Sequence, residues 1–281
     1  MGTWMRALTW SFFALVAAPG ATLAQGPAAA PPVDARTVLL RMADTLGKTQ
    51  HLSVTVRAAY DTVQPSGEKI EWNEVRKLTL SRPDKLRVET EKSDGARTLV
   101  TFDGKAISTF DDSTRLYAQA PQQGGVDETL VYFVRDLGMR LPLAALFMSR
   151  ASGELDRRTR SVEYVQKTTI LGTPTHHLVG RTDSVNFQVW IRDGDQPFPE
   201  RLVLTYPAAP GQPQFRAEFS GWDVTAEPVA SLFTFTPPAN AMRIPFVAAL
   251  PQRARDQGSA SPKTAPAPKS GAPATKKGAT P

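Results

Sequence analysis

The sequence predicts a mainly β (α+β) domain: one large antiparallel sheet of about ten strands, curled into an unclosed β-barrel, with about three helices on its concave side. Three observations support this prediction. Apolar residues alternate with polar ones along most of residues 52–224, the strands are joined by short turns rich in Gly, Pro and Asp, and apolar segments with helical spacing interrupt them. Short connections favour an antiparallel meander over a parallel sheet.

Four regions follow from the composition. Residues 1–24 are typical of a secretory signal peptide cleaved near Ala24, because Arg6 precedes an apolar run too short to cross a bilayer. An uncleaved membrane anchor is the alternative. Residues 25–33 form a short linker, and residues 34–248 form a single domain with a large core. Residues 249–281 form a Pro/Ala/Lys-rich tail with too little apolar surface to fold.

Charge and cysteine content exclude several classes of function. The net charge of +6 lies in the signal segment and the tail, so the domain carries no basic excess for nucleic acid. We expect the tail either to contact an anionic envelope surface or to act as a plain spacer. With no cysteine, the chain has no disulfide, thiolate metal site or lipid anchor. We therefore expect a soluble periplasmic protein, which we take to be a monomer.

The first helix is predicted over residues 34–50, where Asp34 can cap the start and apolar residues recur every three or four positions. Strand patterns follow, and SDG and DG supply hairpin turns because their residues tolerate positive φ. The strands are predicted over residues 52–63, 69–81, 85–92, 96–102, 105–111 and 115–120.

Two further helices are predicted over residues 125–139 and 141–150, both unusually apolar for connections between strands. Strand patterns then resume. They cover residues 161–170, 175–182, 184–193, 200–206 and 213–224, and a short element around residues 228–238 closes the domain.

Polar residues offer little evidence of catalysis. His176 and His177 are adjacent on a predicted strand, so their rings point to opposite faces and cannot share one metal ion. The aspartates at hairpin tips are explained by bonds to the local backbone. No nucleophile, zinc-protease or nucleotide-binding motif is present. We expect no enzymatic activity, no metal and no cofactor.

Large apolar side chains are the remaining signal, and they have two interpretations. They form an ordinary core, or they line an apolar cavity between the sheet and the helices. The candidate cavity-lining residues are Trp72, Phe102, Phe133, Leu137, Phe147 and Trp190.

The segments RPDKLRVE, FDGKAISTFD and WIRDGDQPFPERLVLTY resemble a family of predicted periplasmic bacterial proteins of unknown function, grouped with the LolA/LolB-like lipoprotein carriers. The resemblance covers most of residues 36–247. It implies an unclosed antiparallel barrel with helices on the concave side, and carriers of this kind hold acyl chains. The arginine motif of those carriers has no match here, so no residue role is transferred.

Two functions of different classes are consistent with these features. The first is a periplasmic carrier that holds a lipid or an acylated ligand, such as a lipoprotein acyl chain, in an apolar cavity. The second is an envelope protein-interaction or sensing module with a filled core and no ligand. A hydrolase ranks third.

Overall fold

A computed structural model describes residues 33–136 and 141–246. The predicted signal peptide, nearly all of the linker and the predicted tail lie outside the described residues. Leu137, one of the candidate cavity residues, lies outside them as well.

Twelve strands form one sheet in the order β12-β6-β5-β4-β3-β2-β1-β11-β10-β9-β8-β7. The strands are β1 (His51–Val63), β2 (Lys69–Ser81), β3 (Lys85–Lys92), β4 (Arg97–Phe102), β5 (Ala106–Asp111), β6 (Leu116–Pro121), β7 (Ser161–Ile170), β8 (Thr173–Arg181), β9 (Asn186–Arg192), β10 (Pro199–Thr205), β11 (Gln214–Asp223) and β12 (Met242–Arg243). Neighbours are antiparallel except for β12 and β6. Within the described residues β7 and β12 are the sheet edges and do not pair, so the predicted curled, unclosed antiparallel sheet is confirmed.

The alternation in β1 shows how the sequence builds the core. Leu52, Val54, Val56 and Ala58 are all buried, while the residues between them are partly or fully exposed. Because successive side chains of a strand point to opposite faces, this pattern turns one face of the sheet towards the helices. That buried, concave face holds the hydrophobic core.

Aspartates terminate the hairpins as predicted. The Asp103 carboxylate accepts hydrogen bonds from the backbone amides of Lys105 and Ala106, at 3.0 and 2.9 Å. Gly104, which lies between Asp103 and Lys105, has a φ of 87°, a conformation that favours glycine. Asp94 and Asp111 accept backbone amides in the same way. These three hairpin aspartates therefore have a structural role.

The first helix, α1 (Ala35–Lys48), is confirmed. Asp34 caps it by accepting the amides of Arg36 and Thr37. Leu39, Met42 and Leu46 are buried along one face of the helix. That face packs against the concave side of the sheet at β7, β8 and β9.

The other two helices differ from the prediction. α2 (Val126–Val131) is short and continues as a π-helical turn over Tyr132–Asp136. The predicted helix over residues 141–150 is wrong, because only a 3-10 turn forms at Ala144–Phe147. The third α-helix is instead α3 (Ala151–Arg158), a mostly polar segment in which Ala151 and Leu155 form the short apolar face. The apolar segment over residues 141–150 is buried on several sides. Because its apolar residues do not mark one face, their spacing is not evidence of a helix.

The chain after β11 crosses to the opposite, convex face of the sheet. A 3-10 turn over Ala230–Phe233 lies in the region where a closing element was predicted. Phe235 then packs its ring against Phe110 and Tyr117 on the convex face. Within residues 33–136 and 141–246, no helix has the length and apolar character needed to span a membrane.

Candidate ligand-binding cavity

A cavity of about 370 Å³ lies between the helices and the concave face of β9 and β10. Its helical wall comes from α1, the 3-10 turn and α3, through Leu39, Met42, Ala145, Leu146 and Leu155. Its sheet wall consists of Phe187, Val189, Leu202 and Leu204. Both walls are therefore apolar, as expected for a site that binds hydrocarbon.

Gly180 determines the position of one wall residue. It is the cross-strand partner of Phe187 in the β8–β9 hairpin. A methyl group at Gly180 would overlap the Phe187 ring, so the missing side chain lets this ring lie across the neighbouring strand. The glycine thereby fixes the shape of the sheet wall.

The polar lining residues gather at the exposed end of the cavity, which we call the mouth. They are Arg158 of α3 and the β8–β9 turn residues Thr182, Asp183 and Ser184. Arg160 donates two hydrogen bonds to the Asp183 carboxylate, at 2.6 and 2.8 Å, and holds the pKa of Asp183 below its usual value. The mouth is therefore charged, whereas the interior is apolar.

Three predicted cavity residues belong to the filled core instead. Phe102, Phe133 and Phe147 are at most 3% exposed, and none of them lines the cavity. Their large apolar side chains correctly predict burial. Alternation and helical spacing do not show whether a buried ring faces other side chains or a void.

Trp190, a predicted cavity-lining residue, is not among the residues that line this cavity. Its neighbours Val189 and Ile191 are buried on the concave face, so Trp190 lies on the convex face. There its ring stacks on His177 at 4.1 Å between centroids, and the Arg201 guanidinium lies 5.4 Å from its ring centre. Trp190 therefore stabilises the outer surface of β8, β9 and β10.

Trp72 lies on the concave face but outside the cavity. Cross-strand pairing places Trp72 at the end of a row of concave-face side chains. The row starts at the cavity wall on β9 and runs across β10, β11 and β1 to β2. The row consists of Phe187, Leu204, Phe215, Tyr60 and Trp72. Phe215 is buried, whereas Tyr60 and Trp72 are 36% and 45% exposed. The predicted residue thus marks the solvent-exposed end of the apolar row, not a wall of the cavity.

The side chains of the adjacent histidines lie on opposite faces of the sheet, as predicted. Nε2 of His176 lies 3.0 Å from the Asp193 carboxylate, and Nδ1 lies 3.3 Å from the Tyr164 hydroxyl. His177 stacks on Trp190 instead. In the described part of the chain, no group of three or more histidine or acidic side chains is placed to hold a metal ion.

Sequence reasoning missed the residues that do line the cavity. Leu39 and Met42 were recognised only as the apolar face of a helix, and Arg158 lies in a helix that was not predicted. The one sequence feature that pointed to the site was the apolar face of α1, because such a face must be buried against another part of the fold. Which strands it packs against, and how closely, depends on tertiary structure.

The comparison with protein families identifies the group to which the chain belongs. A model of the family described as "Predicted periplasmic protein (DUF2092)" matches residues 35–247. The chain belongs to this family. The resemblance to predicted periplasmic proteins that the sequence suggested is therefore confirmed. A search of curated proteins finds no match.

Several solved structures are similar to the chain. An uncharacterized conserved protein from Thermus thermophilus has 14% identity, with 75% of this chain and 99% of that chain covered and a TM-score of 0.43. Lipoprotein LppX from Mycobacterium tuberculosis has 15% identity and a TM-score of 0.42, with 69% of this chain and 96% of that chain covered. A LolA superfamily protein from Nitrosomonas europaea has 12% identity and a TM-score of 0.35, with 73% of this chain and 99% of that chain covered.

Proposed function

We propose that this protein is a periplasmic binding protein that holds the apolar chain of a lipid or acylated ligand in the cavity beneath α1. The observation that carries the proposal is the apolar character of both cavity walls, from Leu39 on the helical side to Leu202 on the sheet side. The family description supports the compartment. We propose binding or carriage, with no chemical reaction, as the function.

The physical basis is the burial of hydrocarbon. Each CH₂ group moved from water into an apolar site contributes about 0.8 kcal/mol, so a chain of several such groups offsets the entropy lost on binding. The walls are already assembled, which reduces the reorganisation needed. Release would require α1 or the segment from Ala144 to move away from the sheet.

The proposed organisation of the chain fits this function. We propose that residues 1–24 are removed during export, that residues 34–248 form the binding domain, and that the protein is a monomer. We propose that the basic tail, residues 249–281, contacts the anionic envelope surface.

A binding experiment with a cavity-filling variant tests the proposal. Delipidated protein should bind palmitate, and Ala145→Phe should weaken this binding at least tenfold because Ala145 lines the cavity. Ala144→Phe adds the same volume one residue earlier, where the side chain packs against the core and not in the cavity lining, so it should lower stability but leave the affinity of the folded protein within about twofold. If Ala145→Phe does not fold, Ser184→Trp narrows the mouth from an exposed turn. Absence of binding by the unmodified protein would reject the proposal.

One observation favours the second candidate, an envelope protein-interaction module. Tyr60, Ile70 and Trp72 are exposed apolar residues on one face of the β1–β2 hairpin. A photo-crosslinking residue at position 72 would capture a protein partner in the periplasm if this function holds. Native mass spectrometry of protein purified from its own periplasm separates the two functions, because the proposed carrier should bring a lipid with it.

A further inference from the structure

Three arginines share one carboxylate beside the cavity mouth. Arg157 bonds to Glu154 at 2.6 Å, Arg158 at 3.2 Å, and Arg150 lies 3.7 Å from it. Asp156, the other acidic residue of α3, pairs with Arg36 at 2.7 Å. Because guanidinium groups stay protonated in proteins, the single Glu154 carboxylate leaves its three arginines with excess positive charge. The excess lies where a bound amphiphile would present its polar end.

Arg158 is the member of this group that reaches the ligand site. It lines the cavity, and its side chain is 68% exposed. Arg157 has the same partner and similar exposure, 70%, but does not line the cavity. The two residues therefore differ chiefly in their contact with the site.

The carboxylate at the mouth does not cancel this charge. Asp183 is the one acidic residue among those that line the cavity in the described part of the chain. Its two oxygens accept hydrogen bonds from Arg160, which is a partner outside the lining. The charge of Asp183 is thus offset locally, and Arg158 remains the polar group suited to a ligand of opposite charge.

We propose that the ligand is a single-chain amphiphile with one anionic group, a carboxylate or a phosphate, which pairs with Arg158 while the chain fills the cavity. This inference rests on the proposed function and specifies its ligand class. A volume of about 370 Å³ is near the lower end of the range for small-molecule sites, which favours one chain over several. The arrangement gives the site charge complementarity as well as apolar burial.

Ligands that share a chain and differ in headgroup test the inference. We would measure the binding of palmitate, hexadecyl phosphate and hexadecanol to the full secreted protein by calorimetry. At least one of the two anions should bind about tenfold more tightly than the alcohol, equivalent to about 1.4 kcal/mol. The better anion distinguishes a fatty-acid source from a phospholipid-like source. Added salt should reduce the preference for the anion, because the mouth is exposed to solvent.

Matched variants assign the preference to one residue. Arg158→Gln should abolish the preference for the anion while hexadecanol affinity stays the same, Arg158→Lys should restore part of it, and Arg157→Gln should retain it. Equal affinity for the alcohol and both anions would overturn the headgroup inference and leave the proposed function intact. An equal loss of preference in Arg157→Gln would overturn the role of Arg158. Failure of all three ligands to bind would overturn the proposed function, and this inference with it.

Discussion

The Arg82 guanidinium lies 3.6 Å from the Asp127 carboxylate, and both side chains are largely buried. Arg82 also donates hydrogen bonds to the carbonyl oxygens of Thr49 and Phe147, at 3.1 and 2.8 Å. Asp127 accepts the backbone amide and the hydroxyl of Ser149. The pair therefore connects the turn after β2 with the end of α1, with α2 and with the segment that leads into α3.

Removal of this arginine should be strongly destabilising. Arg82→Met keeps apolar bulk but leaves Asp127 with an unpaired buried charge, so we expect the free energy of unfolding to fall by about 3 kcal/mol. Urea denaturation followed by circular dichroism measures the change. Lys77→Met removes an exposed positive charge and should stay within about 0.5 kcal/mol of the unmodified protein. If both variants behave alike, the connecting role assigned to Arg82 is wrong.

The sequence predicted those parts of the fold that depend on local patterns. Alternation in β1, the cap at Asp34 and the aspartate turns each rest on residues within a few positions of one another. The apolar segment before α3 shows the limit of this reasoning. Its residues are buried from several directions, so their helical spacing did not indicate a helix. The helix that follows is mostly polar, and its two apolar residues, Ala151 and Leu155, are too few to predict it.

The candidate site was harder to predict because a cavity is the space between elements distant in sequence. Met42 and Leu202 line the same void, although they lie on α1 and β10, far apart along the chain. For Trp190, residue size indicates burial but not the face of the sheet. Successive strand residues point to opposite faces, so Trp190 lies on the face opposite Val189. Knowing that Val189 faces the core would have placed Trp190 on the outer face.

A second ion pair should make stability depend on pH. Burial raises the pKa of Asp61, but hydrogen bonds from Arg216 and the Gln214 amide outweigh this effect and hold the pKa below its usual value. The resulting stabilisation is present above the pKa of an unfolded aspartate, about 3.9. It is lost as pH falls further, through the folded-state pKa, because the carboxylate becomes protonated.

Asp61→Asn tests this dependence. At pH 7 the substitution should lower the free energy of unfolding by about 1–3 kcal/mol, since it weakens hydrogen bonds to a charged group. The difference from the unmodified protein should shrink as pH is lowered below about 4. Asp44→Asn, which removes an exposed pair with Lys48, should cost less than about 0.5 kcal/mol. A difference for Asp61→Asn that is constant over this pH range would contradict the assignment.

Gly180 should control both the stability and the capacity of the cavity. Gly180→Ala places a methyl group where the Phe187 ring lies, and this ring forms part of the sheet wall. We expect the free energy of unfolding to fall by about 1–3 kcal/mol and palmitate to bind more weakly, because the ring must move towards the void. Gly153→Ala, in α3 with open space around it, should instead raise stability by about 0.5–1 kcal/mol and leave binding unchanged. If Gly180→Ala binds palmitate as tightly as the unmodified protein does, the Phe187 ring does not limit the space available to the ligand.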